Sequence, residues 1–91
     1  MRVARRYVVS GEVQGVGFRF FTQRVAAHHQ VVGYVRNLPD GRVEAYAEGT
    51  PESIEGFKHD LAAGPQYARV EQVEEVSVEP TGQYPSFRIE R

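Results

Sequence analysis

The chain has 91 residues, 41% of them hydrophobic and 25% charged, which suffices for one globular domain with its own core and leaves no room for a second. Eleven basic residues stand against twelve acidic ones for a formal net charge of -1, so the basic excess of a nucleic-acid or anionic-membrane binder is missing. There is no cysteine, which excludes disulfides, thiolate nucleophiles and thiolate-held metals.

Met1-Arg2-Val3-Ala4-Arg5-Arg6 is positively charged but lacks the apolar stretch of a secretory leader, and no apolar run approaches the roughly 18 residues of a membrane-spanning helix. Residues 1–91 therefore read as a single domain of a cytoplasmic protein.

Between Arg6 and Val13 apolar and polar residues alternate, with Tyr7, Val9, Gly11 and Val13 on one parity, which predicts a strand. From Phe18 the period lengthens. Phe18, Phe21 and Val25 recur at helical spacing, and the helix ends near His28 and His29, before β-branched Val31 and Val32. Val31 to Leu38 reads as a strand, Pro39-Asp40-Gly41 as its turn, and Arg42 to Glu48 as the returning strand of a hairpin. Thr50-Pro51-Glu52 is a helix start, with a capping hydroxyl, a proline suited to the first turn and an acid at the positive end of the dipole. Ile54, Phe57 and Leu61 supply the buried face of this second helix, and Gly64-Pro65 stops it. An extended piece follows around Val70 to Val78, its alternation broken at Val73-Glu74-Glu75-Val76, and a short one runs from Ser86 to Glu90.

The order is β-α-β-β-α-β with a short extra C-terminal strand. That is an α+β, ferredoxin-like sandwich, with two helices on one face of an antiparallel sheet and the other face left towards solvent. This plan serves many unrelated activities, so function has to come from a site.

The informative stretch is Gly11-Glu12-Val13-Gln14-Gly15-Val16-Gly17-Phe18-Arg19, between the first strand and the first helix. Gly15 and Gly17, separated by one residue, let the backbone turn successive N–H groups into one concavity, and the helix start beyond adds unpaired donors and partial positive charge. Arg19 lies in the first helical turn, where a planar guanidinium can meet two oxygens of the same anion. The pattern is neither a P-loop, since no Lys-Ser or Lys-Thr follows, nor a dinucleotide loop, since the third glycine is missing. On spacing alone, glycines that merely turn the chain and a solvated Arg19 remain an alternative.

Val9-Ser10-Gly11-Glu12-Val13-Gln14-Gly15-Val16-Gly17-Phe18-Arg19 closely resembles the N-terminal signature of the acylphosphatase family, and Gly33-Tyr34-Val35-Arg36-Asn37-Leu38-Pro39-Asp40-Gly41 resembles its second signature. The resemblance covers essentially the whole chain. It implies a phosphate cradle formed by Gln14, Gly15, Val16, Gly17 and Phe18, with Arg19 on the phosphoryl oxygens and Asn37 positioning the attacking water. The implied reaction is hydrolysis of the carboxyl-phosphate anhydride bond, releasing a carboxylate and inorganic phosphate. Leu38 departs from members that carry a hydroxyl residue after the asparagine.

A carboxylate leaves without protonation, so positioning and charge stabilisation suffice, and no metal or other cofactor is expected. Glu12, the one ionisable acid in the stretch, would repel a dianion if it pointed inward, so a phosphoryl oxygen is the expected proton acceptor, as in the family. Asn37 by position alone also suits a local side-chain to backbone bond before a turn. Its amide carries both a donor and an acceptor, as water orientation requires.

His28, His29 and His59 lack metal-site spacing and read as solvated helix residues, and Glu71, Glu74, Glu75 and Glu79 as a solvated acidic strand face. Thr22 and Ser10 have no His-Asp partners for nucleophilic catalysis.

Two other classes compete. RNA-recognition domains share the element order, but here the strand they would use carries Tyr46 between Glu44 and Glu48, whose charges repel phosphates. Acylphosphatase-like domains also begin large carbamoyl-transferring maturation proteins, whose downstream cysteine motifs are absent here. The expectation is a freestanding monomer acting on a small-molecule acyl phosphate, with inorganic phosphate as product and competitive inhibitor, and with neither nucleic acid nor membrane as partner.

Overall fold

In the computed structural model, which describes all residues from Met1 to Arg91, elements begin and end where the side-chain period changes. They are β1 (Val3–Glu12), α1 (Phe18–His29), β2 (Val32–Asn37), β3 (Val43–Gly49), α2 (Pro51–Ala63), β4 (Arg69–Val78) and β5 (Phe87–Glu90). The predicted order holds, with boundaries within a residue or two except at the start of β1, which reaches back to Val3. The helix-start chemistry of α2 holds in detail. Thr50 Oγ1 accepts from Ser53 N at 3.1 Å, Pro51 is in the first turn beside Glu52, and Gly64 closes the helix.

The strands form one sheet in the order β4-β1-β3-β2-β5. All neighbours are antiparallel except β2 and β5, which run parallel, with Gly33 opposite Phe87 and Val35 opposite Ile89. The expected antiparallel sheet with a short extra C-terminal strand holds, and the one parallel pairing is made by that extra strand. β4 and β5 occupy opposite edges, so the chain crosses the whole sheet between them instead of folding back as a hairpin.

The core lies between sheet and helices. Tyr7, Val9, Val35, Ala45 and Ala47 meet Phe18, Ala26, Ile54, Phe57 and Leu61, all buried. Phe57 is central, with ring centroids 5.8 Å from both Tyr7 and Phe87, and truncating a fully buried phenylalanine typically costs about 3 to 5 kcal/mol. Gly33 is obligatory in β2, because a Cβ there would sit 1.8 Å from Tyr46 O.

The outer face is not left to solvent. Every residue of β3 is buried, including Glu44, Tyr46 and Glu48. Glu44 accepts from Arg6 Nε and, at 2.6 Å, from Arg36 Nε. Tyr34, Tyr46 and Tyr84 form an aromatic cluster with centroids 5.4 to 5.9 Å apart. Glu48 Oε2 accepts from Tyr46 Oη at 2.6 Å and from both the backbone N and Oγ1 of Thr81 at 2.9 Å. Burial raises the pKa of Glu48, but these bonds outweigh it and hold the carboxyl down to about 2. The crossing between β4 and β5 thus pins itself over β3. That also removes the exposed aromatic platform an RNA-recognition domain needs.

The broken alternation in β4 has a consequence. Val76 pairs with Arg6 on the outer face and stays 51% exposed. Glu75 falls on the helix side, opposite Tyr7 and 2.7 Å from Lys58 Nζ, so it is exposed but does not share the face of Glu74. Tyr7, opposite Glu75, has no hydrogen-bond partner for its hydroxyl, and burial followed by the Glu75 charge pushes its pKa far up.

Candidate active site

The turn from β1 into α1 takes the shape the two glycines permit. Gly15 has φ 76° and Gly17 φ 75°, both left-handed, and a Cβ at either would meet nothing within 4 Å. The requirement is conformational, not steric. Gly17 is the N-cap of α1, with no side-chain cap and no acid in the first turn, in contrast to α2 with Thr50 and Glu52. The first N–H groups of α1 and their partial positive charge therefore have no protein acceptor, which suits them to an anion.

Arg19, one residue into α1, donates from Nη1 to Glu90 O of β5 at 3.4 Å. It pairs with no carboxylate. Glu12, the acid that could have neutralised it, turns to Arg69 at 3.8 Å. Asn37 ends β2 opposite Val43. The tight turn behind it is made by others: Leu38 N donates to Arg42 O at 2.8 Å, and Asp40 accepts from Arg42 N at 3.1 Å and Arg42 Nε at 2.8 Å. The side-chain amide of Asn37 makes none of these bonds, so the local capping alternative does not describe it.

A cavity of about 140 Å³ is lined by Val13, Gly15, Gly17, Phe18, Arg19, Phe20 and Asn37. Residues from both sequence signatures, 18 positions apart at Arg19 and Asn37, thus share one small space. A wider hollow along Ile89 and Arg91 shares Arg19 and Phe20 with it. Two expected cradle residues keep their side chains away from the cavity. Val16 packs against the core, and Gln14 Nε2 donates to Leu38 O at 2.8 Å and Arg42 O at 2.9 Å. Phe20 was not anticipated as a wall. It is 63% exposed, and an aromatic residue in an amphipathic helix ordinarily reads as core.

The remaining candidates have structural partners. Thr22 Oγ1 donates to Phe18 O at 2.8 Å inside α1. His29 is not a solvated histidine: its Nε2 lies 2.7 Å from Asp60 Oδ2 and ties α1 to α2. No group of three or more His, Asp or Glu side chains is placed to hold a metal ion, and no helix is long and apolar enough to cross a membrane.

An uncapped helix start, a left-handed glycine loop, an arginine without a carboxylate and an unbonded amide border one small cavity of an α+β sandwich, a set of groups chemically suited to an anion. Comparisons with known proteins narrow that class. The family model for acylphosphatase matches residues 5–89. An acylphosphatase of Solibacter usitatus is 48% identical over 86 residues, spanning 94% of this chain and 88% of the relative. The crystal structure of acylphosphatase from Bacillus subtilis superposes with a TM-score of 0.94 at 32% identity, covering 98% of this chain and 99% of that one. The same fold occurs within a larger protein: full-length HypF, in its phosphate- and nucleotide-bound form, matches all of this chain with 12% of its own at a TM-score of 0.89 and 26% identity. The chain belongs to the acylphosphatase family.

Proposed function

We propose that residues 1–91 form a single acylphosphatase domain, acting as a monomer in the cytoplasm, in which the β1–α1 cradle and Arg19 hold the phosphoryl group and Asn37 aims the water. The enzyme hydrolyses the carboxyl-phosphate anhydride bond of an acyl phosphate. The observation that carries the residue roles is the shared cavity, where backbone donors, an unneutralised guanidinium and a free amide meet.

In this mechanism the loop N–H groups and the α1 start bind phosphoryl oxygens, and Arg19 adds charge-assisted bonds from a planar fork. Asn37 accepts from the water and so turns an oxygen lone pair toward phosphorus. The water oxygen bonds to phosphorus, the bridging P–O bond breaks, and its electrons leave on the carboxylate. The water proton passes to a phosphoryl oxygen, since no acid or base lines the cavity other than Arg19. The leaving carboxylate needs no proton, so neither a general acid nor a metal is required. Inorganic phosphate, which keeps the group the cradle recognises, competes with substrate.

The test is steady-state hydrolysis of acetyl phosphate beside a phosphate monoester, with and without excess chelator. Acyl phosphate turnover is expected to persist in chelator, to exceed monoester turnover and to be inhibited competitively by phosphate. Activity abolished by chelator and restored by Mg²⁺ would overturn the metal-free mechanism.

A further inference from the structure

Gln14 sits in the middle of the cradle loop, yet its side chain leaves the cavity and crosses to the neighbouring hairpin. Its single amide nitrogen has two protons, and both are used: one on Leu38 O at 2.8 Å and one on Arg42 O at 2.9 Å. Leu38 directly follows Asn37, and Arg42 O also accepts from Leu38 N. The side chain thus clamps both arms of the turn just beyond Asn37.

The sheet explains why such a clamp matters. The group that holds phosphate follows β1 and the group that holds water ends β2, and these strands are not neighbours, since β3 lies between them. The β1–β3 ladder ends at Val9 opposite Val43, and the β2–β3 ladder ends at Asn37 opposite the same Val43. Beyond that point β3 no longer registers the two site segments against each other, although β1 stays paired with β4 as far as Glu12. The two bonds from Gln14 are the only hydrogen bonds that join the cradle loop to the hairpin turn. They are exposed, so each adds little to stability. Their geometric effect is larger, because misplacing reacting groups by about 1 Å can cost a hundredfold in rate.

We propose that Gln14 is a positioning residue, a strap that sets the distance between the phosphoryl group in the cradle and the water on Asn37. The proposal rests on the assignment of water to Asn37. It predicts an effect on turnover that runs through Asn37 and leaves phosphate binding nearly intact, since the cradle donors belong to the backbone.

The experiment is a double-mutant cycle of Gln14→Leu and Asn37→Ala on acetyl phosphate, with the inhibition constant of inorganic phosphate and the thermal midpoint measured for each folded variant. Gln14→Leu removes both N–H donors and is one side-chain atom shorter; Gln14→Met, which keeps the length, replaces it if the leucine variant does not fold. Alone it should lower kcat by roughly 10- to 100-fold, with the phosphate constant within about threefold of wild type. In the Asn37→Ala background, assayed at enzyme concentrations that keep the residual rate readable, the same change should cost less than about twofold, because there is no aimed water left to misplace. Near-normal kcat in Gln14→Leu, an equal loss in both backgrounds, or a loss matched by weaker phosphate binding each overturns the strap. If Asn37→Ala is itself fully active, the water assignment fails and the strap falls with it, whereas a damaged Asn37→Ala beside a normal Gln14→Leu sinks the strap alone.

Discussion

At the scale of single residues the two proposed catalytic side chains should separate by kinetic signature. In the proposed mechanism Arg19 touches the phosphoryl group in ground and transition states, so Arg19→Gln should weaken phosphate inhibition and slow turnover by roughly a hundredfold or more. Arg19→Lys should rescue poorly, since a point charge cannot reproduce the two-pronged geometry; a near-normal Arg19→Gln enzyme would return Arg19 to the surface. The same mechanism gives Asn37 the water and not the phosphate, so Asn37→Ala should keep the phosphate inhibition constant within about threefold while kcat falls by orders of magnitude. Asn37→Asp loses the amide donor and adds repulsion toward the phosphoryl dianion, so it should fail to restore turnover. A folded Asn37→Ala protein that no longer binds phosphate would show the role to be wrong. Arg19, Asn37 and the two glycines were singled out through the two signature motifs, whereas spacing alone left a solvated Arg19 and a local bond for Asn37 open. The path of the Gln14 side chain was legible in neither, since where a long amide side chain turns depends on carbonyls 24 and 28 residues away.

At the scale of elements, the two helices are joined by a contact the sequence left unspecified. Gly56 faces α1, and a Cβ there would come within 2.5 Å of the His29 ring. Alanine is normally the better helix residue by about 0.8 to 1 kcal/mol. Here Gly56→Ala should nevertheless lower the thermal midpoint, by displacing His29 from Asp60. In a His29→Ala background the same substitution should raise the midpoint, as propensity alone dictates. A stabilising Gly56→Ala in the wild-type background would show that His29 moves aside at no cost. The histidines read as solvated from sequence because α1 and α2 each look complete alone. Only their packing brings His29 and Asp60, 31 residues apart, to 2.7 Å.

At the scale of the whole molecule, stability should depend on acid through the covered outer face. Glu48 and Glu44 both have lowered pKa values: burial opposes ionisation, but the bonds from Tyr46 and Thr81 in one case and from Arg36 and Arg6 in the other prevail. A carboxyl depressed in the folded state contributes stability that is present above its unfolded pKa of about 4.3 and is lost as pH falls through the folded value. For Glu48 the window runs from about 4.3 down to about 2. The shift corresponds to roughly 2 to 3 kcal/mol. The thermal midpoint should therefore drop steeply across that window in the wild type. Glu48→Gln should start lower at pH 7 and fall less steeply. Parallel curves for the two proteins would show that Glu48 is not the linkage group.

The sequence by itself determined where the elements lie, apart from the early start of β1, which helix start carries a side-chain cap, and which residue types gather between β1 and α1. Those features are local: period, cap and φ preference act within a few residues of where they are written. Tertiary structure decided that β5 runs parallel at the far edge, that Glu44, Tyr46 and Glu48 are covered, and that Gln14 crosses to the hairpin. Each of these depends on partners tens of residues away. Glu44 and Glu48 illustrate the reason: alternation places them on the face away from the helices, and alternation carries no information about whether Arg36 or Thr81 will later lie over them.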